Sequence, residues 1–276
     1  MVIVAARESE TRKTSPKVAD LMLRARALDL KGLFSLTNLQ QQEDLYRQAL
    51  ALEANNASAT VGLASSLTGQ AGNFGFQMDE SVYEKKMVEG RDLALKAKEL
   101  DPDNPGIYVA LGRYATSHDD LDGALRALET RLSLEPKDPN AYNSLATRLY
   151  YEGEPKRSIE LLAQAINLDP KHPSAVVLAG MGRGYFMLGD NCAAIEWLLK
   201  TSEKDPAFAR AHAYLAMAYA VNGEDAKAHA AAAEARRLDP IIKLSTFEPA
   251  RAQPAAYKEY FEKKFVPAWR KAGLPE

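Results

Sequence analysis

The sequence predicts an all-α fold, a solenoid of about six helical hairpins closed by a C-terminal capping helix, and three observations carry that expectation. An acidic residue followed by proline recurs at Asp101-Pro102, Glu135-Pro136, Asp169-Pro170, Asp205-Pro206 and Asp239-Pro240, with the prolines 34, 34, 36 and 34 residues apart. A fixed period in this range marks a stacked array, because each unit hides its apolar face only against its neighbours. Two columns of small residues accompany the period. Counted from three residues after the preceding proline, position 8 is Gly112, Ala146, Gly180 and Ala216, and position 20 is Ala124, Ser158 and Ala228, with Ala194 two places further on in the 36-residue unit. Two helices of a hairpin approach closely only where the side chains at their crossing are small, so these columns set helix A against helix B. Larger apolar residues flank them: Leu111, Leu145, Ala179 and Leu215 at position 7, and Leu128, Leu162, Leu198 and Ala232 four residues past the second small column and on its face. Proline at position 32 then stops helix B.

Taken in order, residues 1–16 are expected to form a mobile N-terminal segment. Val2 to Ala6 is apolar but too short and too poor in preceding positive charge for a signal peptide, and Arg7 to Pro16 offers little to bury. The solenoid is expected over 17–240. Its first pair is Lys17 to Leu30 and Gln40 to Glu53, and Ala57 to Leu67 opens the next, with Leu63 and Ala64 at positions 7 and 8. From Ala54 to Pro102 is 48 residues, 14 more than one unit, and the Gly, Asn and Gln content places the surplus in an insertion loop at about 69–82. Four regular units fill Pro105 to Pro240. In the extension 241–276, the chain is irregular to Pro254, and Ala255 to Ala272 carries Tyr257, Tyr260, Phe261, Phe265 and Trp269 at helical spacing, the pattern of a capping helix.

Composition excludes several functions. The 35 Lys and Arg nearly balance the 37 Asp and Glu, so no net field draws nucleic acid or an anionic membrane. Cys192 stands alone and forms no internal disulfide, and the longest apolar run falls far short of the roughly 20 residues that span a bilayer. A cytoplasmic protein is expected, with no nucleic-acid or membrane partner. Gly180-Met181-Gly182-Arg183-Gly184 resembles a phosphate loop in composition, but it falls inside a helix A, where close packing or a local bulge explains it. His118, His172, His212 and His229 include no pair spaced to ligate a metal from one helical face. Asp119-Asp120 and Glu203 to Asp205 fall in turns, where carboxylates cap helices. No catalytic residue, metal site or cofactor is therefore predicted, and no enzyme activity.

Period, small columns and terminal proline together resemble the tetratricopeptide repeat (TPR) family over Pro105 to Pro240. That resemblance implies a right-handed superhelical solenoid in which helix A lines a concave groove, with positions 5, 9 and 12 in one stripe. The stripe reads Val109, Arg113 and Thr116; Asn143, Thr147 and Tyr150; Val177 and Met181 or Arg183; then Ala213, Met217 and Ala220. The expected function is a protein-protein interaction scaffold that takes a peptide or partner helix in the groove, with Arg113, Asn143, Thr147, Tyr150, Met181, Arg183 and Met217 as its contacts. The Lys, Asn and Arg clamp by which some such repeats hold chaperone tails is not reproduced, since position 5 is Val109, Asn143, Val177 and Ala213. More locally, Leu21 to Leu28, Ala194 to Leu198 and Arg270 to Glu276 resemble the C-terminal TPR portion of bacterial class III adenylate or guanylate cyclases and of winged-helix transcriptional regulators. This second resemblance implies, as the alternative, a regulatory or sensory module with a possible homodimeric state. The 16 residues before Lys17 are too few for either effector domain, so an effector domain, if the system has one, is expected outside this chain.

Overall fold

The computed structural model describes residues 14–29, 35–75, 78–247 and 253–276. They form two compact units, Met1–Leu134 and Glu135–Glu276. Among the described residues there are helices and no strands. The first unit holds three hairpins: α1 (Pro16–Asp29) with α2 (Leu36–Leu52), α3 (Ala57–Phe74) with α4 (Glu80–Leu100), and α5 (Pro105–Ser117) with α6 (Leu121–Leu134). The second holds α7 (Pro139–Tyr151) with α8 (Pro155–Leu168), α9 (Ala175–Leu188) with α10 (Asn191–Lys204), and α11 (Ala209–Val221) with α12 (Asp225–Leu238). It ends in one helical rod, α13 (Ala255–Tyr260), a π-helical turn over Phe261–Phe265, and α14 (Val266–Lys271). The π turn precedes Pro267, which has no N–H to donate and would crowd a regular α-helical carbonyl behind it.

The acidic-proline pairs act as punctuation. Asp101, Asp169, Asp205 and Asp239 leave the helical conformation, as a residue before proline tends to do. Their carboxylates then turn the chain: Asp205 Oδ1 accepts from the Ala207 N–H at 3.1 Å and Asp239 Oδ1 from the Ile241 N–H at 3.2 Å. New helices open on side-chain caps, Asn56 to the Ala59 N–H, Asn104 to Gly106, Asp138 to Asn140, Ser174 to Val177 and Asp190 to Ala193, which satisfy donors the first turn leaves free. The Asp120 carboxylate takes the same role toward the Gly123 N–H at 2.8 Å. At the end of α9 the chain reverses through Gly189 at φ 89°, a left-handed backbone that favours glycine.

The small columns are where paired helices touch. A methyl group on Gly112 of α5 would lie 3.6 Å from Ala127 Cβ and Leu128 of α6. Ser158 Oγ of α8 donates to the Ala146 carbonyl of α7 at 2.7 Å. Ala124, Ala146, Ala194 and Ala216 have no exposed surface. In the third counted repeat, the register differs from the sequence reading. The 36-residue spacing is taken up in the connection 169–174 ahead of α9, so the residue facing α10 at position 8 is Gly182 and not Gly180. A methyl on Gly182 would stand 2.5 Å from Leu198 Cγ, whereas one on Gly180 would meet Leu162 of the preceding hairpin at 2.9 Å. All three glycines of Gly180 to Gly184 therefore serve helix packing, and α9 is continuous through them.

The surplus residues expected in a loop at about 69–82 are mostly helical. Residues 69–74 continue α3, Asp79 caps α4, and α3 and α4 run to 18 and 21 residues, so most of the surplus lengthens helices instead of forming a loop. Tertiary contacts outweigh the weak helix propensity of Gly and Asn here. Gly90 lets α4 close on α3, since a methyl there would lie 2.5 Å from Thr68 Cγ2 and 3.2 Å from the Ala64 carbonyl. Gln70, fully buried, donates to the Leu39 carbonyl at 3.2 Å and to Glu43 Oε2 at 2.8 Å, which ties the end of α3 to α2. At the N-terminus, the expected mobile segment lies mostly outside the described residues. Its last part is anchored, with the Ser15 N–H donating to Glu53 Oε1 at 2.7 Å and α1 beginning at Pro16. The expected end of the first helix at Leu30 also lies outside the described residues.

Candidate functional site

The stripe predicted on the A helices divides into core and surface. In the second unit Tyr150, Val177, Met181, Ala213, Met217 and Ala220 are buried, none more than 3 % exposed. Met181 sits among Ala146, Leu162, Ala165 and Val177, between α7, α8 and α9. Met217 is wholly enclosed in the cluster built with the C-terminal rod. The expectation that Tyr150, Met181 and Met217 face a partner is thus corrected: these side chains are core. Two physical causes are visible. The register shift puts Met181 at position 7, a packing position, and Arg183 at position 9. In addition, the C-terminal rod meets α7 and α9 as well as the last hairpin.

Aromatic rings build that second contact. The rings of Tyr257 and Tyr150 meet edge to face at 5.6 Å, those of Tyr257 and Tyr151 at 5.1 Å, and those of Phe265 and Tyr214 at 5.7 Å. Gly153, at φ 82°, leaves room for Ala256, whose Cβ would be 2.9 Å from a methyl at that position. Lys264 Nζ donates to the Met187 carbonyl at 3.5 Å. Trp269 has no exposed surface, and its Nε1–H donates to the Pro275 carbonyl at 2.8 Å. Three tyrosine hydroxyls converge inside, with Tyr150 3.3 Å from Tyr214 and 3.4 Å from Tyr260. Burial raises the pKa of all three. The sequence reading missed this cluster as a unit: Tyr257, Tyr260 and Phe265 were legible as one helical stripe, but their partners Tyr150 and Tyr214 were not.

What stays accessible is polar. Asn143 and Thr147 on α7 and Arg183 on α9 are partly exposed. Asn143 Oδ1 is buried with no hydrogen-bond donor among the described residues. Arg183 sets its guanidinium 5.3 Å from the centre of the Tyr150 ring, and its Nε is buried with no acceptor among the described residues. Burial opposes the Arg183 charge, the oxygens of Tyr151, Tyr214, Tyr150 and Tyr257 favour it, and the net displacement of its pKa is upward. In the first unit, Val109 is partly exposed and Thr116 exposed. Arg113 Nη1 donates to the Ser65 carbonyl at 3.3 Å, across from Gly69, where a methyl would lie 3.4 Å from that nitrogen. Burial, with the like charge of Arg131, lowers the Arg113 pKa to about 10.

The remaining candidates resolve locally. His118 stacks on Tyr114 at 3.9 Å, and its Nε2 lies 2.9 Å from Glu84 Oε1. Among the described residues no group of three or more His, Cys, Asp or Glu is placed to hold a metal ion, and no helix is long and apolar enough to cross a membrane.

No family model matches the chain. Cellulose synthase operon protein C of Pseudomonas fluorescens (strain SBW25) is 24% identical over 150 residues, covering 53% of this chain and 12% of that protein. Among solved structures, the APC/C hetero-tetramer Cut9-Hcn1 superimposes with a TM-score of 0.64 at 17% identity, over 86% of this chain and 46% of that one. TTC0263, a thermophilic TPR protein in Thermus thermophilus, superimposes with a TM-score of 0.56 at 15% identity, over 73% of this chain and 98% of that one. The chain thus spans about an eighth of the curated relative and under half of the Cut9-Hcn1 chain it matches. These likenesses show the fold: an all-α stack of tetratricopeptide-type hairpins.

Proposed function

We propose that this chain is a protein-interaction scaffold, which docks a segment of a protein partner on the A helices of its second unit through the side chains that packing leaves accessible there, Asn143, Thr147 and Arg183. Asn143 carries the reading. Its side chain is partly exposed on α7 and its Oδ1 has no donor among the described residues, so a partner N–H that meets the side chain once it turns outward gains a bond the free chain does not make. An extended peptide offers such N–H groups at regular spacing. The fold supports the same reading, because within each unit stacked hairpins set successive A helices side by side and repeat one surface position along the row.

Affinity capture with the intact chain, compared with an Asn143→Ala, Thr147→Ala variant of unchanged helical content, tests it. At least one specifically retained protein should be lost with the variant; an unchanged set would remove the A-helix face as the docking surface. A cytoplasmic, bacterial setting and a protein partner without nucleic acid belong to this reading.

A further inference from the structure

The turn that joins α11 to α12 sets Asn222 before Gly223, and no other asparagine of the chain precedes a glycine. The same reversal recurs after α7 and α9, where Gly153 at φ 82° and Gly189 at φ 89° follow Glu152 and Leu188. Gly223, at φ 81°, repeats that backbone, and of the three turns this one alone places a side-chain amide ahead of the glycine. Asn222 and Gly223 are both exposed, and no atom lies within 4 Å of the point where a Cβ on Gly223 would stand. Three surface hydrogen bonds hold the turn: the Gly223 N–H donates to the Ala220 carbonyl at 3.2 Å, the Glu224 N–H to the Tyr219 carbonyl at 2.9 Å, and Asn222 Nδ2 to Glu224 Oε1 at 2.7 Å. Val221 ahead of it is itself 44% exposed, so the turn opens without uncovering core. Such local opening is fast beside any slow covalent change in the backbone.

We propose that Asn222-Gly223 is a self-modification site, at which the Asn222 amide is lost to water and an aspartyl or isoaspartyl link takes its place. With the turn open, the Gly223 backbone nitrogen gives its proton to hydroxide and attacks Cγ of Asn222. The N–Cγ bond forms, the Cγ–Nδ2 bond breaks, and ammonia leaves with a proton from water, which closes a cyclic imide. One water then adds to either ring carbonyl and opens the ring. The sum is one water consumed and one ammonia released. Glycine suits this step because it has no Cβ to crowd the attacking nitrogen. Other asparagines are held off: Asn38, Asn143 and Asn167 sit inside helices, whose ladder fixes the backbone, and Asn104 precedes Pro105, whose nitrogen has no proton to lose. Either product sets a carboxylate where an amide now donates to Glu224, so two like charges replace a hydrogen bond, an effect the α12 N-terminus offsets in part. The isoaspartyl form also adds a carbon to the chain path between α11 and α12, which displaces the Gly223 and Glu224 N–H groups from their carbonyls on α11.

Incubation of the intact chain in mildly alkaline buffer tests this, read by peptide mapping with mass spectrometry and by enzymatic methylation of isoaspartyl carboxylates. Position 222 should convert at least about tenfold faster than any other asparagine. Asn222→Gln, whose longer side chain does not close the same ring, should abolish the signal there. Gly223→Ala should slow conversion by about tenfold or more, even though alanine strains the left-handed turn and opens it more often. The isoaspartyl fraction, once separated, should unfold at lower urea than the parent chain. Conversion at 222 no faster than elsewhere, conversion confined to the urea-unfolded chain, or an isoaspartyl fraction with an unchanged urea midpoint would each overturn the proposal.

Discussion

Adding one methyl group at two equivalent crossings should change stability in opposite directions. Gly112 and Gly182 occupy the same position in their hairpins, each facing helix B. At Gly112 the nearest atoms to an added Cβ are 3.6 Å away, ordinary van der Waals contact, so Gly112→Ala gains the helix-propensity difference of about 0.5–1 kcal/mol. At Gly182 the added Cβ would lie 2.5 Å from Leu198 Cγ, 2.8 Å from its Cδ2 and 3.4 Å from the Ala194 carbonyl. Leu198 has no exposed surface into which to retreat, so overpacking of about 1–3 kcal/mol is set against the same propensity gain of about 1 kcal/mol. The expected result is a net loss of about 1 kcal/mol, and at most about 2, for Gly182→Ala, and a difference of about 2 kcal/mol between the two variants. Urea unfolding reads it. The two tryptophans, Trp197 and Trp269, both lie in the second unit and report Gly182→Ala by fluorescence, while far-UV circular dichroism follows Gly112→Ala. A Gly182→Ala protein as stable as wild type, or a Gly112→Ala protein clearly less stable, would refute both the register assigned to α9 and the packing argument.

Three further outcomes follow from named contacts. Trp269→Ala removes the fully enclosed indole that joins the C-terminal rod to the core and should cost about 3–5 kcal/mol in urea unfolding. Ser158→Ala deletes the buried hydroxyl that bonds the Ala146 carbonyl across the α7–α8 crossing and should lower stability by about 1 kcal/mol, with no change in helical content. Glu43 concerns pH: burial acts to raise its pKa, hydrogen bonds from Lys86, Gln70 and Arg47 outweigh that, and the net shift is downward. A lowered folded-state pKa contributes stability above the unfolded value that disappears as pH falls through the folded one. Glu43→Gln should therefore destabilise the chain at neutral pH, with the gap to wild type narrowing through the acidic range below the ordinary carboxylate pKa, as measured by urea midpoints across that range.

Much of the architecture was legible because local rules and global packing agree. The acidic-proline pairs end helices by backbone geometry that needs no tertiary partner, and the alanine, glycine and serine columns record how closely two helices cross. Legibility failed where distant residues decided the local outcome. Gly69 to Phe74 read as loop by propensity, yet Gln70 and the close approach at Gly90 hold α3 and α4 together as long helices. The two extra residues near Pro170 could sit before α9 or within it, and only the contact of Gly182 with Leu198 places them before it. On the predicted stripe, Arg113, Asn143, Thr147 and Arg183 remain accessible, whereas Tyr150, Met181 and Met217 are core.

The sequence alone determined that helical hairpins form, how long most are, where they stop and which small residues join each pair, since all of that depends on neighbours within one period. Which side chains remain for a partner was decided only in three dimensions. A position on helix A is surface until something covers it, and what covers Tyr150 is Tyr257 and Tyr260, more than a hundred residues along the chain. Periodicity describes each hairpin and its neighbour; it carries no term for a rod that folds back onto α7, α9 and α11.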